Sequence, residues 1–439
     1  MPRDLSLGNQ SINDATSLHV NFRTDYAMGE IYFPQVGREN QTGGRPWRAG
    51  IWIDGEFRWF SDPSFARTMG YLDETLVGQV VLRNAALELQ IVCHDLVDYH
   101  RDIYLKQVRI ENLADRARRV RLFFHQNVFL RGTDAQNTAV YDPAARAMIC
   151  YRSDRYVLAG GWRDGQGGAG NDGDGIDHYA AGLKEVRGLE GIWRAAEGGR
   201  LPDLPVQHGS VDSAIELDLS VEARATEEAW HYLCFGLSED GVRKHQQKIR
   251  DVGPLHLKAR TENFWRRWVR SHRPTDTEFA DLPPEVVSLY RRSLLVMRTL
   301  CDNGGAILAA IDWDVASDIR ENYSYCWTRD GALVARAWQL AGFEQPSAAF
   351  FGFCLRVLER EARPYFFHKY NPDYTVASTW LARVGPAGEP RLPIQEDETA
   401  LVVWSLWQHH QRFRDVTHEM REQVFRMAFP CADWMVEYR

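Results

Sequence analysis

The chain has 439 residues, 44% of them hydrophobic and 26% charged, and carries a formal net charge of −8. That length suits two domains, and the apolar share is ordinary for a globular protein. The acidic balance argues against nucleic acid as a partner. No run approaches the ~20 apolar residues of a membrane span, and the start MPRDLSLGNQSIN lacks the apolar core of a signal peptide. No membrane partner is expected.

Up to about residue 254, short β-branched and aromatic runs alternate with turn signals. In IWIDGEFRWF, Asp54-Gly55 reads as a hairpin turn, and further strands are expected at LELQIVCHDLV, YLKQVRIEN, VRLFFHQNVF and AWHYLCFGL. The alternation in QVRIEN and VRLFF fits half-buried antiparallel strands, and strands without interposed helices suggest a sandwich of two sheets. Gly160 to Gly175, with Asn171-Asp172-Gly173-Asp174, reads as a solvent loop; the spacing and terminal Glu of a calcium loop are absent.

Asp251 to Arg273 reads as an amphipathic linker helix, with Phe264, Trp265 and Trp268 at helical spacing. Helices dominate after Pro284. Val286, Leu289, Tyr290, Leu294 and Met297 share one face, a second helix follows Asp330, and a third covers about Pro346 to Leu358. Glu398 to His410 and Val416 to Tyr438 make two more, the last with a core stripe of Met420, Val424, Met427, Cys431, Trp434 and Tyr438. The seven cysteines (Cys93, Cys150, Cys234, Cys301, Cys326, Cys354 and Cys431) show no ligand spacing. They read as free buried thiols in a reducing compartment, by default the cytoplasm; no metal or cofactor is expected.

Three clusters in the helical half carry chemistry. In YSYCWTRDGALVARAW, Tyr323 to Trp338, an aromatic run meets Arg329 and Asp330 at the mouth of a helix. Aromatics can pack on the C–H face of a sugar while Arg and Asp bond its hydroxyls. A buried Arg–Asp pair favouring the helix dipole would have the same spacing. The second cluster is FFHKYNPDYTVASTW, Phe366 to Trp380, an aromatic loop that is either a ligand wall or a packed connection. The third is LPIQEDETALVVW, where Gln395, Glu396, Asp397 and Glu398 open a helix. Glu396 reads as a dipole complement and Asp397 as a cap, while Gln395 could present its amide to a hydroxyl.

The order NYSYCWTRDGA, HKYNPD, STW, LPIQEDETALVVWSLW resembles glycoside hydrolase family fifteen, the glucoamylase family. LGNQSIN, EIYFPQVGREN and GIWIDGEFRWF resemble the N-terminal domain of its prokaryotic members, so the resemblance runs from about Leu7 to Tyr438. It implies an antiparallel β-supersandwich over 1–254, a linker helix over 255–282, and the first part of an (α/α)6 barrel over 283–439. The implied activity is inverting release of glucose from non-reducing ends of α-glucans. Arg329 and Asp330 would hold the outermost hydroxyls of the terminal glucose in the −1 subsite. Trp327 and Tyr323 would form its wall, with Tyr323 near the attacking water. Gln395 and Asp397 would line the same pocket, and Trp380 would be a platform for the next sugar. Leu381 stands where the family commonly has His.

Inversion needs two carboxyls, about 6.5–9.5 Å apart. The family's acid lies in a Trp-Glu-Glu-type motif, and no Trp-Glu pair occurs here. General acid and base are therefore expected beyond Arg439, with Asp330 and Glu398 as substitutes to test. About five helices are readable where a barrel has twelve, so an N-terminal piece of a longer enzyme, or a second chain completing the barrel, is expected. The expected partner is an α-glucan or maltooligosaccharide. The other readings are a non-catalytic glucan-binding or partner-assembled protein and a phosphorylase of related architecture.

Overall fold

In a computed structural model the described residues are all except 1–4, 10–15, 164–172, 186–190, 273–278, 280, 312–322, 414–420, 423 and 439. The chain forms two compact units. The first holds Leu18–Pro34 and Glu39–Trp268; the second holds Gln35–Arg38 and Val269–Arg439.

The first unit is built from antiparallel sheets. Nine strands run in the order Val206–Gly209, Asn137–Asp142, Ala147–Arg152, Arg155–Trp162, Thr226–Gly236, Ile103–Asn112, Leu89–Val97, Gly78–Asn84 and Ala66–Tyr71. Five more run His178–Leu183, Val211–Val221, Arg118–Asn127, Arg48–Ile53 and Glu56–Trp59, and Leu5–Gly8, His19–Phe22 and Met28–Tyr32 form a third sheet. The Asp54-Gly55 turn joins Arg48–Ile53 to Glu56–Trp59 with φ of 54° and 87°, the left-handed pair a two-residue hairpin requires.

The two-residue period sorts the strands into layers. Leu233 and Phe235 join Val120, Leu122, Phe124, Ile215 and Leu217 in the core between the sheets. Tyr232 and Cys234 face the other way, under Val242, Ile249 and Leu257. Those three belong to the helices Glu239–Val252 and Pro254–Val269. The expected alternation holds in QVRIEN, where Arg109 is exposed between buried Val108 and Ile110, but the start of the same strand, Ile103 to Lys106, is buried on both faces because helices cover the sheet's outer face there. The linker helix expected from Asp251 begins at Pro254 and runs to Val269; Asp251 and Val252 instead end a preceding helix that stops at Gly253 (φ 76°).

The Gly160–Gly175 loop also differs from its reading, while Asn171 and Asp172 lie outside the described residues. Gly160 and Gly161 are strand residues, and Asp174 is buried, bonded to Tyr232, Gln246 Nε2 and Arg250 Nε.

In the second unit we label five helices: α1 Pro284–Thr299, α2 Thr328–Ala341, α3 Glu344–Glu361, α4 Glu396–Arg412 and α5 Phe429–Glu437. A π-wound turn, Val424–Ala428, leads into α5. Of the expected stripe there, Met427 and Cys431 are buried, Tyr438 is exposed, and Met420 lies outside the described residues. On α1, Leu294 is buried but Val286 and Leu289 are exposed; Val287 and Leu295 face the interior instead. The apolar face read from spacing is thus rotated by one residue. All seven cysteines are buried and free.

α2 and α4 run side by side in the same direction. Ser405 Oγ donates to Ala332 O at 2.8 Å, and Gln339 Nε2 reaches Ser405 O at 3.1 Å. Gly331 lets α3 approach, since a Cβ there would lie 2.3 Å from Phe350. The parallel arrangement brings the positive ends of both helices together, a setting that favours carboxylates.

Candidate functional site

The paired N-termini gather residues that lie about seventy positions apart. The Arg329 guanidinium donates from Nη1 to Gln395 Oε1 at 2.8 Å, and both Asp397 oxygens lie 3.4 Å from it. Nη2 lies 3.4 Å from Asp330 Oδ2. Asp397 is half exposed, at 53%. Asp330 and Arg329 are also partly open to solvent. This is an outward-facing fork with acceptors around it, able to trade those partners for hydroxyl groups.

Glu398 sits behind the fork. Its Oε2 accepts from Thr328 Oγ1 at 2.8 Å and from the backbone N–H of Arg329. The N-cap of α2 is Trp327, whose side chain makes no cap bond, so a carboxylate from α4 takes over that function. Asp397, by contrast, does not cap α4: Gln395 holds that position, without a side-chain cap bond. The capping expectation for Asp397 is corrected accordingly. Glu396 is exposed in the first turn.

Burial pushes the Glu398 carboxyl up to about 7 against its bonds to Arg329 and Thr328. A general acid needs such a value, but the Glu398 side chain is 0% exposed, sealed behind Arg329.

The aromatic wall stands beside the fork. Tyr323 stacks on Trp327 (5.7 Å, 27°), and Trp380 lies 6.4 Å from Trp327. Trp327 is buried, while Trp380 is 59% exposed. Trp327 Nε1–H donates to His368 Nε2 at 3.1 Å, so the His368 proton sits on Nδ1 and goes to Thr379 Oγ1 at 2.8 Å. Burial, with Lys369 and Arg329 nearby, lowers the His368 ring below its ordinary range.

Sequence reasoning missed Lys369. It is buried, with Nζ 4.3 Å from the Tyr325 ring, 4.4 Å from Trp380 and 4.9 Å from Trp327. A lysine within an aromatic loop was the available signal; periodicity does not show that the rings converge on it. Among the described residues, no three His, Cys, Asp or Glu side chains come together as metal ligands.

No protein-family model matches the chain. An uncharacterized glycosyl hydrolase of Methanocaldococcus jannaschii is 23% identical over 394 residues, covering 88% of this chain and 57% of the relative. Among solved structures, a bacterial glucoamylase complexed with acarbose superposes with a TM-score of 0.73 at 15% identity. That match covers 99% of this chain and 58% of the other. A candidate kojibiose phosphorylase from the human microbiome gives a TM-score of 0.54 at 10% identity, covering 94% of this chain and 54% of the other. The architecture is thus that of glycoside hydrolases and glucoside phosphorylases. The chain spans somewhat over half the length of these relatives. No described helix is long and apolar enough to cross a membrane.

Proposed function

We propose that the chain carries part of the −1 subsite of a glucoamylase-like enzyme acting on non-reducing ends of α-glucans. The supporting observation is the convergence of WTRD and QEDE. Arg329 and Gln395, 66 residues apart in sequence, meet at 2.8 Å beside Asp330, Asp397 and the Tyr323–Trp327–Trp380 wall. Arg329 and Asp330 hold the outermost hydroxyls of the terminal glucose through charge-assisted bonds, and Trp327 packs on its C–H face. Gln395 and Asp397 keep the fork aimed when no sugar is bound, and Trp380 carries the next ring. Tyr323 lies near the attacking water.

In this reading the general acid and base lie outside this sequence, since no Trp-Glu pair occurs here and the Glu398 side chain is fully buried. In this reading the rest of the barrel, in the same polypeptide or a second chain, covers exposed apolar side chains such as Trp407, Leu340 and Phe425 (52%, 59% and 65% exposed). Seven buried free thiols support a reducing, cytoplasmic setting. The likeness to a candidate kojibiose phosphorylase favours a second reading, phosphorolysis on the same architecture.

Glucose and glucose-phosphate release from maltotriose, with and without phosphate, separates these readings. Phosphate-independent release marks a hydrolase complete in itself and overturns the placing of the acid and base elsewhere. Phosphate-dependent release marks a phosphorylase. Sugar binding without release is the expected result for the chain alone.

A further inference from the structure

Resting on the sugar-site reading, we propose that Glu398 is a positioning residue: its ionised carboxylate anchors the first turn of α2 and aims the Arg329 fork at the ligand. Two bonds from Oε2 fix residues 328 and 329 at the helix start. The other oxygen, Oε1, is buried, makes no hydrogen bond, and lies 3.8 Å from Arg329 Nη1. That is beyond hydrogen-bond reach but within the field of the guanidinium. A buried acceptor without a donor is costly unless charge makes up for it, and Arg329 is the neighbouring cation.

The surroundings make this contact responsive to pH. The groups facing Glu398 are Arg329 and Asp330 from α2, Cys354 from α3, and Cys326 and Tyr370 from the preceding segments. Asp397 lies on its own helix and also touches the fork. Burial pushes both thiols and the Tyr370 phenol up, so none of the three ionises near neutrality. Glu398, raised to about 7, is the group that changes charge there. When it is neutral its proton goes to Oε1, since Oε2 already accepts two bonds. The fork is then left to Asp330, Asp397 and Gln395 alone and is free to swing toward solvent.

Glu398→Gln separates the two roles, because its amide oxygen can still accept from Thr328 and Arg329 while the charge is gone. Maltotriose affinity is measured by calorimetry at about pH 6 and about pH 8. The wild-type chain is expected to bind roughly tenfold more tightly at the higher pH, following the ionised fraction of Glu398. Glu398→Gln is expected to bind equally at both, and the same pH dependence in the variant would overturn the proposal.

A second arm needs no sugar. The 15N signal of the Arg329 guanidinium, assigned with Arg329→Lys, is followed from about pH 5 to about pH 9. It is expected to move near neutrality in the wild type and to stay fixed in Glu398→Gln. If maltotriose does not bind at any pH, the sugar-site reading fails and this arm alone decides the anchoring. If the variant does not fold, a wild-type Arg329 signal that stays fixed across the range overturns the proposal, and one that moves near neutrality supports it.

Discussion

Ionising Glu398 must cost the fold stability, and the cost can be worked out. Its carboxyl is raised from an ordinary 4.5 to about 7 with its side chain 0% exposed. At 1.36 kcal/mol per unit, the roughly 2.5-unit difference makes the ionised form about 3 kcal/mol less favourable in the folded state. The sign follows from linkage. A carboxyl raised on folding leaves stability intact below its unfolded value, and that stability is lost as pH climbs from about 4.5 through about 7. Glu398→Gln escapes this loss. Weaker capping of α2 lowers it by about 1 kcal/mol at every pH. Urea unfolding followed by tryptophan fluorescence, in steps from about pH 5 to about pH 8, should therefore show the variant gaining about 2–3 kcal/mol on the wild type. Parallel curves with a constant offset would refute the reasoning, because they would mean that Glu398 does not titrate in this range.

Three further predictions concern other parts of the molecule. Asp95→Asn leaves Lys106 buried without the carboxylate now 2.7 Å away and should cost about 3–5 kcal/mol in urea unfolding; a loss under about 1 kcal/mol would contradict the pairing. His231, pushed down to about 3 by burial while donating to Gly160 O at 2.9 Å, should withdraw about 4 kcal/mol as pH falls from about 6.5 toward that value. Acid-unfolding midpoints should therefore be lower for His231→Gln than for wild type, and equal midpoints would count against this account. Trp380→Ala removes an exposed platform and should weaken maltotriose binding about five- to tenfold with thermal stability little changed; unchanged binding would remove Trp380 from the site.

The two helix starts of the candidate site were legible because their chemistry is local. WTRD and QEDE each mark a helix start by acidic and aromatic residues, and the structure brings these two starts together. What could not be read was which distant group meets which unsatisfied amide. Trp327 cannot cap α2, yet only the parallel packing of α2 on α4 shows that Glu398 does. For the same reason Asp397, in an acceptable position for a cap, turned out to face Arg329 instead.

In the sandwich, the Asp54-Gly55 turn was readable from two residues. The cover of helices over the nine-stranded sheet was not, because alternation reports the faces of one strand and not what lies above them. Asp174 lay in a stretch whose glycines suggested solvent, but its carboxylate is committed to Tyr232, Gln246 and Arg250. Nor does spacing place Gln35–Arg38 with the helical unit, where the Val36 N–H donates to Asp302 at 3.0 Å and Arg38 lies 3.2 Å from Asp373.

The central claim is that Arg329 and its neighbours grip a terminal glucose. Calorimetric titration of maltotriose into the purified chain, beside Arg329→Ala, tests it most directly. The account predicts saturable binding by the wild type and a loss of at least about tenfold in the variant, the size expected for charge-assisted bonds to hydroxyls. Equal binding by both proteins, or none by the wild type, would contradict it.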